Sequence, residues 1–247
     1  MRTASTRTLG GQTAILMAMV VTLLASPRVQ AANDFDHSVF DALLKAHVRQ
    51  GQVDYSAIKR TGVAALDRYL ARVAEAKPDA FSRSARLAFY LNTYNALVIR
   101  AVVERLPLSS VQKVPGFFDK LRYRVAGRTL TLNELENQVI RKQFAEPRIH
   151  FALVCGAKSC PPLGDRAFQG KTLAARLEQL TRAFLNSRHG VTGQGPKVLV
   201  SKLFSWYAAD FGKTSPAIRA FIARYNSQVA TAGALDFLPY DWQLNGR

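Results

Sequence analysis

Both cysteines of the chain lie in one segment, His150-Phe-Ala-Leu-Val-Cys155-Gly-Ala-Lys-Ser-Cys160-Pro-Pro. Its residue types leave three chemistries open. The first is a disulfide. A Cys155–Cys160 bridge needs Cα atoms about 4.4–6.8 Å apart, and the small residues between the cysteines allow the chain to double back. Closing so short a loop would stabilise by only about 2 kcal/mol, so the bridge would shape the loop more than hold the fold. The second is a nucleophilic thiol with His150 as its base. If 149–154 is a strand, a rise of about 3.3 Å per residue sets His150 and Cys155 about 16 Å apart. They would also face opposite sides, so Cys160 on the returning loop would reach the imidazole more easily. His37, His47 and His189 are alternative bases, with His189 beside Gly190 reading as structural. The third is redox or metal work. The C-x4-C spacing is not the C-x-x-C of thiol oxidoreductases. Two Cys and one His fall short of the four ligands of a zinc site. No metal and no cofactor is expected.

Other candidates sit on helices. Asn95 falls in the middle of an apolar helical stripe, and Asn92 lies one turn earlier. Buried amides must find partners, so the pair either ties down a neighbouring loop or lines a pocket and donates to a substrate carbonyl or oxyanion. Trp206 and Asp210 are spaced i, i+4. An Asp in the last turn of a helix opposes the dipole, so a Lys or Arg, or a histidine that it orients, should hold it. Asp241, beside Trp242, is a weaker case of the same kind. Tyr94 and Tyr207 lie in these segments and complete the aromatic candidates. Arg122 and Arg124 share one face of an expected hairpin, where they form either an anion contact or a solvated face.

Those residues need elements to position them. Helices are expected at 36–48, 62–76, 84–105, 172–187, 203–211 and 215–225 from apolar periodicity. Gly212 supplies the C′ position of the 203–211 helix. A further helix runs from an Asn133 cap, with Glu136 at N3, to about 144. The hairpin spans 120–132 around Ala126-Gly127. It pairs Val125 with Arg128, Tyr123 with Leu130 and Leu121 with Leu132, apolar on one face and basic on the other. Buried or short strands are expected at 149–154 and 197–200, and an extended tail at 235–244. Strands and helices do not alternate regularly. The fold class is therefore α+β, a mostly helical single domain packed on a small, largely antiparallel sheet.

The chain has 247 residues, 48% of them hydrophobic and 21% charged, with 34 Lys and Arg against 17 Asp and Glu and a formal net charge of +17. The apolar fraction excludes a disordered chain. The cysteine count excludes a disulfide-dense miniprotein, and no apolar run reaches the roughly 18 residues of a membrane span. Arg2 and Arg7 precede a 12-residue apolar run at 14–25, and Val29-Gln30-Ala31 offers small residues at a cleavage site. This is the pattern of a secretory signal peptide. Cleavage after residue 31 would leave one globular domain of 216 residues at 32–247 and a net charge of +14, since Arg2, Arg7 and Arg28 leave. The expected location is periplasmic or secreted. There a basic surface meets an anionic envelope component rather than nucleic acid. No zinc-finger spacing, RNP-like motif or Gly-rich phosphate loop argues otherwise.

The segments Phe89-Tyr-Leu-Asn92-Thr-Tyr94-Asn95-Ala-Leu, the hairpin with Leu-Asn-Glu-Leu-Glu136, the cysteine segment, Leu203-Phe-Ser-Trp206-Tyr207-Ala-Ala-Asp210-Phe-Gly and Tyr240-Asp241-Trp242-Gln-Leu-Asn245 together resemble the domain of unknown function 547 family. The resemblance spans about 85–245. It implies no established activity. Bacterial members resemble this chain in being exported, plant members are intracellular, and some eukaryotic members are fused to DEP and glutaredoxin-like modules. Some plant versions lack the second cysteine, so a disulfide is not the family-wide role of this loop, which leaves open a pocket that outlives the bridge. The expectation is an exported module whose cysteine loop, 150–163, forms a binding pocket with Asn92, Asn95 and His150, shaped by a Cys155–Cys160 disulfide. The first alternative is a cysteine-dependent acyl transferase or amide hydrolase. There Cys155 or Cys160 attacks, His150 is the base, Asp210 or Asn92 orients it, and Asn95 or backbone N–H groups hold the oxyanion. The second alternative is a thiol redox protein.

Overall fold

The structure, a computed structural model, describes residues 1, 2, 4, 34–194 and 196–247. The expected leader and its cleavage site lie outside the described residues apart from Met1, Arg2 and Ala4. Ala32–Arg247 forms one compact unit. It is mostly helical with three small sheets, an α+β fold.

The helix Arg83–Glu104 is its axis. Ser82 caps it by accepting from the Ala85 N–H at 3.2 Å. Every residue from Leu87 to Ile99 is buried. An apolar stripe on one face was expected; instead other elements cover the helix all round, the pattern of a core helix. Val63–Glu75 packs on it, and Ser38–His47 packs on Val63–Glu75. Leu173–Leu185 and a segment that is α-helical at Leu132–Glu134 and π-helical at Leu135–Arg141 also lie against it. These elements share the larger hydrophobic core. A second, smaller core gathers Phe151, Phe184, Phe204, Phe211 and Phe221.

The sheets are β1 (Val48–Arg49) with β2 (Gln52–Val53), β3 (Tyr123–Val125) with β4 (Arg128–Leu130), and β5 (Val191–Gln194), β6 (Lys197–Val200) and β7 (Leu235–Phe237). All pairs are antiparallel except β6 with β7. The hairpin pairs Tyr123 with Leu130 and Val125 with Arg128, as its pattern requires. Ala126 and Gly127 both have positive φ, 50° and 74°, the conformation of a type I′ turn. Backbone bonds from both to Val73 and Ala74 carbonyls tie the tip to the end of Val63–Glu75. The expected Leu121–Leu132 pair is absent from the ladder, because Leu132 already belongs to the next helix.

Three local expectations are corrected. The 149–154 strand is instead a 3-10 helix, Pro147–Phe151, followed by irregular chain. Pro147 sets φ at its first turn, and the Glu146 carboxylate accepts from the Arg148 N–H at 3.1 Å. The cap at 133 moves to Thr131, whose hydroxyl accepts from the Glu134 N–H while the Glu134 carboxylate accepts from the Thr131 N–H, a complete capping box. The single helix at 203–211 is two short ones, Leu203–Trp206 and a 3-10 turn Ala208–Phe211, so Trp206 and Asp210 do not share a helical face. Gly212 does close it in the left-handed region, at φ 98°.

Candidate functional site

The cysteine loop is held from two sides. From the long helix, the Asn95 amide donates to the Ala152 carbonyl at 2.9 Å, and its oxygen accepts from the Val154 N–H at 2.9 Å. From the chain beyond β7, backbone bonds run from Lys158 to Gln243, from Ser159 to Asp241 and from Asn245 to Gly156. Gly156 turns the loop at φ +87°, where a Cβ would also meet Val111 at 3.3 Å. Cys155 and Cys160 are bonded, with Cα atoms 6.3 Å apart. The Tyr240 hydroxyl lies 3.3 Å from the Cys160 sulfur and 3.4 Å from that of Cys155. The bond removes the free thiolate that either cysteine needs as a nucleophile.

This bridge forms one wall of a cleft of about 230 Å³. Tyr94 enters from the long helix and Leu203, Trp206 and Tyr207 from the short helix and its end. Tyr240 and Trp242 close it from the C-terminal segment, with Trp206 at 4.8 Å and 5.7 Å from their ring centroids. Trp206 is 47% exposed, unusual for a large apolar ring in the described chain.

Glu136 faces the same cleft from the π-helical segment and is only 7% exposed. Its place on the chain follows from the shifted cap. With Thr131 as N-cap, Leu132, Leu135, Val139 and Ile140 form the buried face, and Glu136 falls within it. π-turns inside helices recur at functional sites. Burial raises the hydroxyl pKa values of Tyr94 and Tyr207, and the nearby Glu136 carboxylate raises them further.

Behind the aromatic wall lies a charged chain. His150 Nε2 is 2.7 Å from Asp210 Oδ2. Its ring stacks on Tyr207, centroids 3.9 Å apart. Arg141 donates to both Asp210 oxygens, at 2.7 and 2.9 Å, a bidentate pair, and its guanidinium lies over the Tyr207 ring. Burial works against ionisation of Asp210. The hydrogen bonds and charges of His150 and Arg141 outweigh it and hold the carboxyl well below the usual range. Asp210 thus meets both the arginine and the histidine considered for it.

Several candidates lie elsewhere. Asn92 donates to the Phe168 carbonyl and accepts from the Phe168 N–H, both at 2.9 Å. Both groups of Asn92 and of Asn95 are thus bonded to loop backbone, and neither side chain lines the cleft or is free to hold an oxyanion. Asp241 turns away from the cleft: its backbone binds Ser159 and its carboxylate caps the Gln243 N–H. Arg122 donates to the Thr129 carbonyl, and Arg124 lies 3.6 Å from Glu75, both on the outer face of the hairpin. Among the alternative bases, His37 pairs with the Tyr69 hydroxyl at 2.8 Å in the larger core, and His189 lines other cavities. Glu136, Tyr240 and Arg141 were not singled out from the sequence. An acid within the apolar stripe Leu132–Leu135–Val139–Ile140 was the available signal for Glu136.

A broader groove of about 1100 Å³ shares Tyr240 and Trp242 with the cleft and is lined by Lys59, Arg60, Lys113 and Arg247. Among the described residues no group of three or more His, Cys, Asp or Glu is placed to hold a metal ion. No helix among them is long and apolar enough to cross a membrane.

Fold and site define a helical α+β domain with a disulfide-walled aromatic cleft. Residues 78–185 match the family model described as "Protein of unknown function, DUF547". No curated protein and no solved structure matches it.

Proposed function

We propose that this protein is an exported envelope module that binds a small ligand in the cleft walled by its cysteine loop. One observation carries the reading. The two sulfurs are bonded to each other in the wall of an aromatic cleft, under the Tyr240 hydroxyl. The wall is therefore shaped for contact, and neither sulfur is available for attack. The cleft volume, about 230 Å³, sits below the roughly 300–1,000 Å³ of drug-sized sites, which favours a small molecule or a headgroup over a polymer. The leader-like residues at 14–31 support export to the periplasm or beyond, and an oxidising compartment would maintain the bridge. The basic groove beside the cleft is where an anionic envelope component would lie.

Thiol titration of the native protein tests the wall, and intrinsic fluorescence against a panel of amines, amino acids, neutral sugars and organic acids tests the cleft. The expected result is no titratable thiol and a saturable change with at least one class. Two reactive thiols in the air-oxidised protein, or no saturable change with any class, overturns the reading.

A further inference from the structure

The cleft differs in charge from the molecule around it. The chain carries 34 Lys and Arg against 17 Asp and Glu. Yet no Lys or Arg is among the described residues that line the cleft, and Glu136 is the one carboxylate there. The only other ionisable group of basic type on the lining, His150, is already paired with Asp210. An anion in this space would meet the Glu136 carboxylate with no free cation beside it, in surroundings where charges are poorly screened.

A cation would find the opposite. Tyr94, Trp206, Tyr207, Tyr240 and Trp242 line the cleft, and aromatic faces attract cations through the ring quadrupole, Trp most strongly. Three of these rings pack together with centroid separations of 4.7, 4.8 and 5.7 Å. Glu136 shares the cleft lining with Tyr94 and Tyr207 and forms no salt bridge among the described residues. A carboxylate accepts at about four lone-pair sites, so capacity remains for a ligand.

We infer that the cleft takes a small organic ammonium group, its charge facing Glu136 and its carbon substituents against the rings of Trp206, Tyr240 and Trp242. This rests on the ligand-binding reading above and narrows it to one chemical class. The basic groove that shares Tyr240 and Trp242 with the cleft would then receive an anionic portion of the same molecule, where the molecule has one.

The chain has two tryptophans, and both line the cleft, so their fluorescence reports on it directly. The probes are choline and ethanolamine, each as the chloride, with sodium chloride at matched ionic strength. The neutral isostere of choline, 3,3-dimethylbutan-1-ol, is the comparison. We expect a saturable change with at least one ammonium probe and at least tenfold weaker binding of the isostere. Glu136→Gln should weaken the ammonium probe about tenfold and leave the isostere unchanged. The comparison of probe and isostere uses the unaltered protein, so it stands even if the variant does not fold. Equal binding of choline and its isostere overturns the inference. So does unchanged ammonium affinity in a folded Glu136→Gln protein, or no saturable change with either ammonium ion. If sugars or organic acids from the wider panel bind while ammonium ions do not, this inference fails and the ligand-binding reading stands.

Discussion

His37 and His150 are buried to almost the same degree, 1% and 2% exposed, and both sit among aromatic rings. Their partners differ. His37 lies in the larger core against the neutral Tyr69 hydroxyl, and its Nε2 has no hydrogen-bond partner. His150 lies at the cleft against the Asp210 carboxylate, which Arg141 holds in turn. Burial alone therefore does not decide what a histidine can do. The first imidazole has only the adjacent Asp36 charge to favour a second proton, and burial outweighs it. The second is tied to an ionised group and forms part of a cavity lining.

The largest test of this contrast is acid. Burial, aided by Arg72 and opposed by Asp36, pulls His37 down to about 4, against about 6.5 in an unfolded chain. Between those values the unfolded chain binds the extra proton, so stability falls as pH falls through that window. The loss should approach about 3 kcal/mol near pH 4. Denaturant melts from pH 7 to 4 measure it, and His37→Gln should flatten the slope. A flat profile in the unaltered protein would place some unrecognised acceptor beside Nε2.

The effect at the Asp210 carboxylate beside His150 should be smaller and lie in a different window. Asp210 titrates well below the usual range in the folded protein, so its contribution is complete above about pH 4 and is lost only as pH falls further. Asp210→Asn at pH 7 should cost about 2 kcal/mol, the scale of charge-assisted hydrogen bonds lost to Arg141 and His150. A change below about 0.5 kcal/mol would mean that the Arg141–Asp210–His150 chain is solvated rather than structural.

The smallest expected effect concerns the wall beside His150. Gly156→Ala forces a side chain into the left-handed region at φ +87°, which should cost about 1 kcal/mol. The variant should weaken binding of the ammonium probe more than it lowers the melting temperature would suggest, because the bridge hangs on this turn. Unchanged stability would show that the loop relaxes around residue 156.

What the sequence revealed follows from where the information lies. The 84–105 helix, the hairpin register and the 197–200 strand rest on local periodicity and turn chemistry, and each was legible. The run Ile-His-Phe-Ala-Leu-Val at 149–154 was not. All six residues are buried, so no alternation marks a face, and Pro147 decides the backbone from outside the run. The capping error has a similar cause. Asn133 with Glu136 and Thr131 with Glu134 both offer the spacing of a box, and only the hydrogen bonds choose between them. Assigning Glu136 to a cap hid its place in the cleft. The two asparagines were correctly seen as buried amides, but whether they bond loop backbone or line a cavity depends on Phe168, Ala152 and Val154, far along the chain.

The cleft is drawn from distant parts of that chain. The sulfur of Cys155 meets a hydroxyl 85 residues away, on Tyr240. The family match at 78–185 contains Glu136, His150 and the bridge, but not Asp210, Tyr207, Trp206, Tyr240 or Trp242. A fragment cut to the limits of that match would lose five of the fourteen residues that line the cleft, leave His150 without its carboxylate and strip the tyrosine from the disulfide. The boundary that similarity draws is therefore not a boundary at which this protein can be divided.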